Sequence, residues 1–97
     1  MERKGLASEK DIAITERFFF AMAELKKRKV IRGLKTFTTR HGYNQGNIIT
    51  LKNNTSSWRI PAEWLANIAQ DYGVSSEWLL LGNGDMFVPG SPALVGK

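Results

Sequence analysis

Cysteine is absent from this chain of 97 residues, and histidine occurs once. Without cysteine there is no disulfide framework and no Cys-based metal site, and a lone histidine argues against a His-rich metal cluster. No run approaches the roughly 18 consecutive apolar residues that span a membrane, and no apolar signal core follows the charged residues 1–5. We therefore expect one small cytoplasmic domain with no membrane partner, no metal and no cofactor.

Acidic side chains are missing from the middle third of the chain. Residues 25–59 carry nine basic and no acidic side chains, whereas residues 1–24 carry four basic and five acidic ones, and residues 60–97 carry one basic and four acidic ones. The net charge of +5 is thus concentrated in a basic block between two mildly acidic segments. Such asymmetry is typical of a polyanion-binding surface. The alternative is a basic face that is merely solvated.

The spacing of apolar residues predicts helices, with no strand pattern and no internal repeat. Phe18, Met22 and Leu25 follow the i, i+4, i+7 spacing of a core-facing stripe. They lie in a first helix that we expect to begin near Asp11 or Thr15, either of which could cap it.

Four more helices follow in the same way. The second and third are predicted over residues 34–41 and 45–53, the fourth between Pro61 and Gly73, and the fifth after Ser75 or Ser76. The predicted fold class is all-α, a compact bundle of about five short helices. Residues 14–88 are expected to form the domain, with a flexible N-terminus over 1–13 and a flexible tail or linker over 89–97.

Gly42, Tyr43 and Asn44 are predicted to join the second and third helices. Glycine adopts the left-handed conformation that ends a helix, and an asparagine side chain can cap the next helix by accepting a backbone hydrogen bond. Ile48 and Leu51 lie three residues apart and face the core. Most other side chains of the third helix are uncharged amides and a hydroxyl, which suit the edges of base pairs. This is the spacing of a DNA-binding helix-turn-helix.

Residues 33–54 resemble the helix-turn-helix of phage lambda-type repressors. Residues 60–87 resemble the end of the N-terminal domains of phage CI-type repressors, and the more specific part of that likeness is the sequence WLLLGNGDMF at 78–87. The resemblance implies a lambda-repressor-like bundle of about five helices. It also implies sequence-specific binding to double-stranded DNA, usually as a dimer, to regulate transcription. We expect repression, by a protein associated with the nucleoid.

Residues that pack the family's motif have counterparts in this chain. Those that match its turn and packing positions are Gly42, Phe37, Ile48 and Leu51. Three positions depart from the family's pattern. Leu34 stands where a glutamine often binds phosphate, so that Lys35 could take over the contact. Thr38 replaces the usual alanine where the two helices cross, and Asn54 replaces the usual glycine after the recognition helix.

The residues predicted to read bases in the major groove are those of the third helix and its cap, namely Asn44, Gln45, Gly46, Asn47, Ile49 and Thr50. Of these, Gln45, Gly46 and Thr50 match usual reading positions of the family. A glutamine amide can pair bidentately with adenine, and the methyl groups of Thr50 and Ile49 can meet thymine methyls, so an A·T-containing half-site is expected. Gly46 has no side chain with which to read a base, but it lets the backbone approach closely.

Phosphate contacts are predicted for eight residues around that helix, namely Lys35, Thr36, Thr39, Arg40, Tyr43, Lys52, Asn53 and Arg59. Such contacts fix the register of a protein on the duplex without specifying sequence. Asn53 matches a family position that often touches phosphate. The basic tetrad at residues 26–29 has two interpretations, a favourable charge at a helix C-terminus or a further phosphate contact.

Apolar residues crowd the C-terminal part of the chain, and they are predicted to form a homodimer surface: Trp78, Leu79, Leu80, Leu81, Met86 and Phe87. The alternative is that they close the domain's own core. Trp58 is expected to pack in the core or at its edge, and His41 is expected to be a packed, hydrogen-bonded residue on the inner face of the second helix.

The chain is not expected to be an enzyme, because no metal-ligand cluster appears and neither Ser56 nor Ser57 has an evident base nearby. The competing interpretation is a helix-turn-helix module that binds proteins, or an antitoxin that masks a partner. The uncharged polar face of the third helix and the absence of acids from residues 25–59 favour DNA.

Overall fold

Six α-helices form within residues 7–95, the part of the chain that the structure, a computed structural model, describes. They are α1 (Glu9–Lys27), α2 (Leu34–His41), α3 (Gln45–Asn53), α4 (Ala62–Tyr72), α5 (Ser76–Leu81) and α6 (Pro92–Val95). The described residues form no strand, although Val74 and Phe87 make an isolated antiparallel bridge. The predicted all-α class is confirmed, with six helices rather than about five. No helix in this range has the length and apolar character needed to cross a membrane.

Phe18 of α1 lies at the centre of the core. Its side chain is fully buried, and its ring centroid is 5.8 Å from that of Phe37 and 6.2 Å from that of Trp64. Met22 and Leu25, further along α1, are also buried, as their spacing predicts. Since the burial of such a side chain contributes about 1.5–3 kcal/mol, this stripe stabilises α1 against α3 and α5 and against the rings that reach it from α2 and α4.

The apolar spacing of α4 predicts a buried face of Leu65, Ile68, Ala69 and Tyr72, and the observed buried face is rotated from it. Ile68 and Tyr72 are buried as expected, while Leu65 and Ala69 are only half-buried. Trp64 is buried although the predicted stripe does not include it. Its large ring reaches the aromatic cluster around Phe18 from the edge of the helix, which a smaller side chain at that position could not do.

The start of α1 is earlier than the predicted Asp11 or Thr15. Ser8 caps a helix that begins at Glu9. The Ser8 hydroxyl accepts a bond from the Asp11 N–H at 3.1 Å, and the Asp11 carboxylate accepts one from the Ser8 N–H at 3.0 Å. This capping box satisfies two backbone donors at once. Thr15 does not cap the helix, since it is buried and its hydroxyl donates to the Asp11 carbonyl at 2.9 Å.

Of the predicted flexible N-terminus, residues 1–13, the residues from 8 onward form the cap and first turns of α1. Ala7 is fully buried, and its backbone N–H donates to the carbonyl of Ser56 at 3.2 Å. The contact fastens the start of α1 to the segment between α3 and α4. Residues 1–6 of the predicted segment lie outside the described residues.

Part of the predicted flexible tail or linker, residues 89–97, packs on the domain. Ser91 and Ala93 are buried. The Ser91 hydroxyl donates to the Tyr72 carbonyl at 2.6 Å and accepts from the Ala93 N–H at 3.1 Å. Gly73 makes room for this contact, because a Cβ there would lie 2.7 Å from Cβ of Ser91. Residues 96 and 97 lie outside the described range.

α1 ends through a left-handed residue that is not glycine. Lys29 has φ of 64°. Its N–H donates to the Lys26 carbonyl at 3.0 Å, and the Val30 N–H donates to the Leu25 carbonyl at 2.9 Å, the two bonds of a Schellman motif. A side chain in this region of φ costs about 1–2 kcal/mol, so the end of α1 is held at some cost to stability.

Candidate nucleic-acid interface

α2 and α3 are joined by residues 42–44, as the sequence predicts. Gly42 has φ of 71°, and the Tyr43 N–H donates to the Thr38 carbonyl at 2.8 Å. Asn44 then caps α3, because its side-chain oxygen accepts from the Asn47 N–H at 3.2 Å. The chain thus reverses within three residues, and each of the two helix ends is capped by a hydrogen bond.

The inner face of α3 is anchored as predicted. Ile48 and Leu51 are buried beside Phe37 in one core cluster. One departure from the repressor pattern gains a physical reason here. Thr38 is buried, but its hydroxyl donates to the Lys35 carbonyl at 3.1 Å, so no polar group is left unsatisfied.

The remaining two departures from the repressor pattern are Asn54 and Leu34. Asn54 has φ of −139°, so the chain leaves α3 without the left-handed conformation that favours glycine. Its side-chain amide donates to the Thr50 carbonyl at 2.8 Å. Leu34 is half-buried against the core, which explains an apolar residue at the start of α2.

The outer face of α3 contains all the residues predicted to read bases, and each of them is exposed: Asn44, Gln45, Gly46, Asn47, Ile49 and Thr50. Asn44 differs from the rest, because its side-chain oxygen is already engaged in capping. That oxygen also explains the glycine at position 46, where a Cβ would lie only 2.9 Å from it. The centre of the outer face is therefore bare backbone.

A groove runs along each side of this outer face. On one side, a depression of about 270 Å³ is lined by Gln45 and Lys52 of α3 together with Lys26 of α1. On the other side, a groove of about 290 Å³ is lined by Asn47 and Thr50 of α3 and by residues of the 58–64 segment, among them a tryptophan and an arginine. The exposed helix face thus stands between two shallow grooves that both carry cations.

The residues predicted to hold phosphates fall into two groups. Those that are exposed are Lys35, Thr39, Arg40, Lys52, Asn53 and Arg59. Thr36 and Tyr43 are half-buried. The Thr36 hydroxyl accepts a bond from the Arg32 N–H at 3.1 Å, so it supports the connection between α1 and α2.

Three arginines of the basic block pair with acids from outside it. The Nε–carboxylate distances are 2.8 Å for Arg28–Glu24, 3.0 Å for Arg40–Asp71 and 3.1 Å for Arg59–Asp11. The other six cations of the block, all exposed, make no ion pair with any described residue: Lys26, Lys27, Lys29, Arg32, Lys35 and Lys52. Because a guanidinium has five N–H donors, the paired arginines keep capacity for a further anion.

A polar network fastens the turn to α4. The Tyr43 hydroxyl donates to the Glu63 carboxylate at 2.8 Å and accepts from the Asn67 amide at 2.5 Å. Burial, together with the bond to Glu63 and its charge, raises the pKa of Tyr43 above its usual 10.0. Since both sides of the hydroxyl are used, Tyr43 has a structural role, and its contact with phosphate stays a prediction.

His41 extends the same network. Its ring stacks on Tyr43 with centroids 5.4 Å apart, and its Nε2 lies 2.5 Å from Oδ2 of Asp71. The predicted packed and hydrogen-bonded role is confirmed, although the side chain stays one-fifth exposed. The described residues contain no group of three or more metal-ligating side chains.

The prediction that Trp58 packs in the core or at its edge is wrong. It lies neither in the core nor at a packed edge, since 56% of its surface is exposed. Aromatic burial in small domains is the general rule, and no periodicity could reveal the exception, because Trp58 lies outside every helix. Lys26 is not among the eight predicted phosphate-binding residues, although a phosphate contact is one interpretation of the tetrad 26–29. Its place beside Gln45 depends on how α1 packs against α3, which the sequence does not reveal.

The apolar C-terminal part divides between core and surface. Leu79 and Phe87 are buried within the chain's own core and cannot contact a partner, so their predicted place in a dimer surface is wrong. Trp78 and Met86 are half-buried, while Leu80 and Leu81 are exposed. Leu81, at 67%, is the most exposed of the six.

Comparisons of the chain with protein-family models, with curated proteins and with solved structures gave no match. The resemblance to phage repressors therefore stays a prediction, and any function has to follow from the geometry and charge of α3 and its surroundings.

Proposed function

We propose that this chain binds double-stranded DNA sequence-specifically, with α3 in the major groove, and that it regulates transcription, as a repressor. One observation carries the proposal. The outer face of α3 carries no charged side chain among its predicted base-reading residues, and it lies between a groove lined by Lys26 and Lys52 and a groove lined by Arg59. A solvated surface helix has no need of that arrangement, whereas a helix in the major groove needs base-reading groups at its centre and cations at its sides.

Gln45 is the main base-reading residue of the proposal. It is exposed in the first turn of α3 and beside the Lys26–Lys52 depression. Its amide N–H can donate to N7 of adenine while its amide oxygen accepts from the N6 amino group, which makes one bidentate pair. Thr50 and Ile49 follow on the same exposed face and supply methyl groups for thymine. Gly46, next to Gln45, lets the backbone approach the bases closely. Asn44 contributes mainly by capping the start of α3.

Affinity in this proposal comes mostly from the unpaired cations. Each phosphate that a lysine or arginine neutralises releases counterions, so the logarithm of the affinity falls with the logarithm of salt concentration by about 0.9 per contact. With on the order of five contacts per subunit, affinity falls by about 500-fold between 50 and 200 mM salt. A flat response in a gel-shift series would exclude phosphate contacts of this kind.

Two exposed residues separate base reading from phosphate binding. Gln45→Ala is expected to lose about 1–3 kcal/mol of discrimination at one or two base pairs. Lys35→Ala, its matched control, is expected to weaken all sequences alike and to lower the salt slope by about 1. Affinities for a duplex selected from a random pool and for its single-base variants measure both effects. If the two variants behave alike, α3 does not read bases through Gln45.

Homodimerisation is the second part of the proposal. Leu80 and Leu81 of α5 are exposed, and so is Phe20 of α1, whose ring lies 6.3 Å from that of the half-buried Trp78. Three large apolar side chains of α1 and α5 are thus left open to a partner. Sedimentation at micromolar concentration is expected to give a dimer, and Leu81→Glu a monomer. If the wild-type chain sediments as a monomer, the chain does not dimerise through this surface without DNA.

A protein-interaction module remains the alternative function. Its supporting observation is that Arg40, Arg59 and Tyr43 already bond to acidic side chains, as they could with an acidic protein. The absence of unpaired acids from the outer face of α3 favours DNA over such a partner. Failure to enrich any duplex from a random pool, together with capture of a protein through α3, would establish the alternative.

A further inference from the structure

Trp58 is an exposed indole held on a fixed piece of backbone. The carbonyl of Ser56 accepts the Ala7 N–H at 3.2 Å, and Arg59 pairs with Asp11 at 3.1 Å. The residues before and after Trp58 are thus fastened to the start of α1. A tryptophan left 56% exposed on such a segment loses the burial that normally stabilises its large apolar surface. Its exposure is therefore a property of the fixed backbone around it.

The position of Trp58 relative to α3 indicates what it can meet. The groove of about 290 Å³ that it lines is bounded on its other side by Asn47 and Thr50, which belong to the outer face of α3. The groove on the opposite side of α3 carries Lys26 and Lys52. A helix in the major groove has one sugar-phosphate strand on each side of it, so each groove corresponds to one strand.

We propose that the groove between α3 and Trp58 takes one strand of the DNA backbone. The indole face packs on deoxyribose, its Nε1–H donates to a phosphate oxygen, and Arg59 binds the adjacent phosphate. This inference rests on the proposed function, since it requires α3 in the major groove. It adds a strand-binding site that is apolar as well as charged, on the side of α3 opposite to the lysines.

The chemistry of the groove fits a sugar-phosphate strand better than an acidic or apolar protein segment. Tryptophan offers a flat apolar face and a single N–H donor, which match a deoxyribose ring and its phosphate. Arg59 is well exposed, and its pair with Asp11 uses Nε, so its terminal N–H groups can face a phosphate while the pair persists. Pro61 and Trp64 complete the apolar lining, to which no acidic side chain of residues 7–95 contributes.

Trp58→Ala, Trp58→Phe and Arg59→Gln test the site on the whole chain. Binding to a duplex selected from a random pool is measured by fluorescence anisotropy across a salt series. Trp58→Ala is expected to weaken binding by about tenfold with the salt slope unchanged, because an uncharged contact is lost. Arg59→Gln is expected to lower the slope by about 1. Trp58→Phe keeps a ring but no N–H donor, so its loss is smaller than that of Trp58→Ala.

Tryptophan fluorescence supplies a second readout that a purely structural role would not change. The chain has three tryptophans, and Trp58 is the most exposed. Duplex DNA is expected to protect part of the emission from acrylamide, and this protection is absent in Trp58→Phe. Far-UV circular dichroism confirms that each variant is folded.

The outcomes distinguish the two proposals. If the wild type binds DNA but Trp58→Ala binds equally well and the indole stays open to acrylamide in the complex, the strand site is wrong while DNA binding by α3 stands. If the wild type binds no duplex at any salt concentration, both proposals are overturned.

Discussion

Gly46→Ala tests how the start of α3 is built, because two effects of similar size oppose each other there. Alanine in place of a helical glycine stabilises a helix by about 1 kcal/mol. The new Cβ, however, would lie 2.9 Å from the side-chain oxygen of Asn44, which is too close for such atoms. That oxygen accepts the capping bond from Asn47, so its displacement costs about 1 kcal/mol. We expect the free energy of unfolding to change by less than about 0.5 kcal/mol.

Asn44→Ala provides the matched background for this measurement. On its own it removes the cap and destabilises the chain by about 1 kcal/mol. It also removes the oxygen that opposes the new Cβ, so Gly46→Ala in this background is expected to recover the full 1 kcal/mol or so of helix propensity. The coupling between the two positions is then about 1 kcal/mol.

Urea unfolding followed by far-UV circular dichroism measures all four chains of this cycle. A coupling near zero, with Gly46→Ala equally stabilising in both backgrounds, would refute the reasoning. The Asn44 side chain would then not occupy the space beside Gly46, and the bare centre of the outer face would need another cause.

Three further predictions concern stability. Lys29→Gly is expected to stabilise the chain by about 1 kcal/mol in urea unfolding, because glycine adopts the φ of 64° there without strain. Ile68→Ala, in the core, is expected to cost about 2–5 kcal/mol, while the exposed Leu81→Ala stays within about 0.5 kcal/mol; similar losses would contradict the assigned burial. The pKa of Asp11 lies below its ordinary 3.8, mainly through the bond from the Ser8 N–H and against the effect of burial. Its stabilising effect is therefore complete above about pH 4 and lost as pH falls through the lowered pKa, so Asp11→Asn should be less stable than wild type at pH 7, and the difference should shrink as the pH falls below about 4.

Much of the fold could be predicted because its helices are amphipathic and well bounded. The i, i+4, i+7 spacing of Phe18, Met22 and Leu25 identified the buried stripe of α1, and Gly42 and Gly73 marked the ends of α2 and α4 through their left-handed conformation. These signals are local, and neighbouring residues along the chain are enough to express them.

The remaining features depend on contacts between distant residues. Ser8 and Asp11 form their capping box in a stretch with no apolar period, so the start of α1 was predicted too late. Ser91 bonds to Tyr72 across nineteen positions of sequence, and no local pattern distinguishes it from a linker serine. Trp58 is exposed for want of a neighbour to cover it, which composition alone does not reveal.

The candidate site shows the same division. The exposure of Gln45 and Thr50 followed from the positions of Ile48 and Leu51 on the opposite face of α3. The pairing of Arg40 with an acid of α4 could not be predicted in this way, because it depends on how the helices pack.

Sequence discrimination by α3 is the central claim, and one measurement tests it most directly. A duplex selected by the wild-type chain from a random pool is compared with a scrambled duplex of the same length and composition, at physiological salt, by fluorescence anisotropy. We expect the selected duplex to bind on the order of 10³-fold more tightly. Equal affinity for the two duplexes, or no binding to either, would contradict the account.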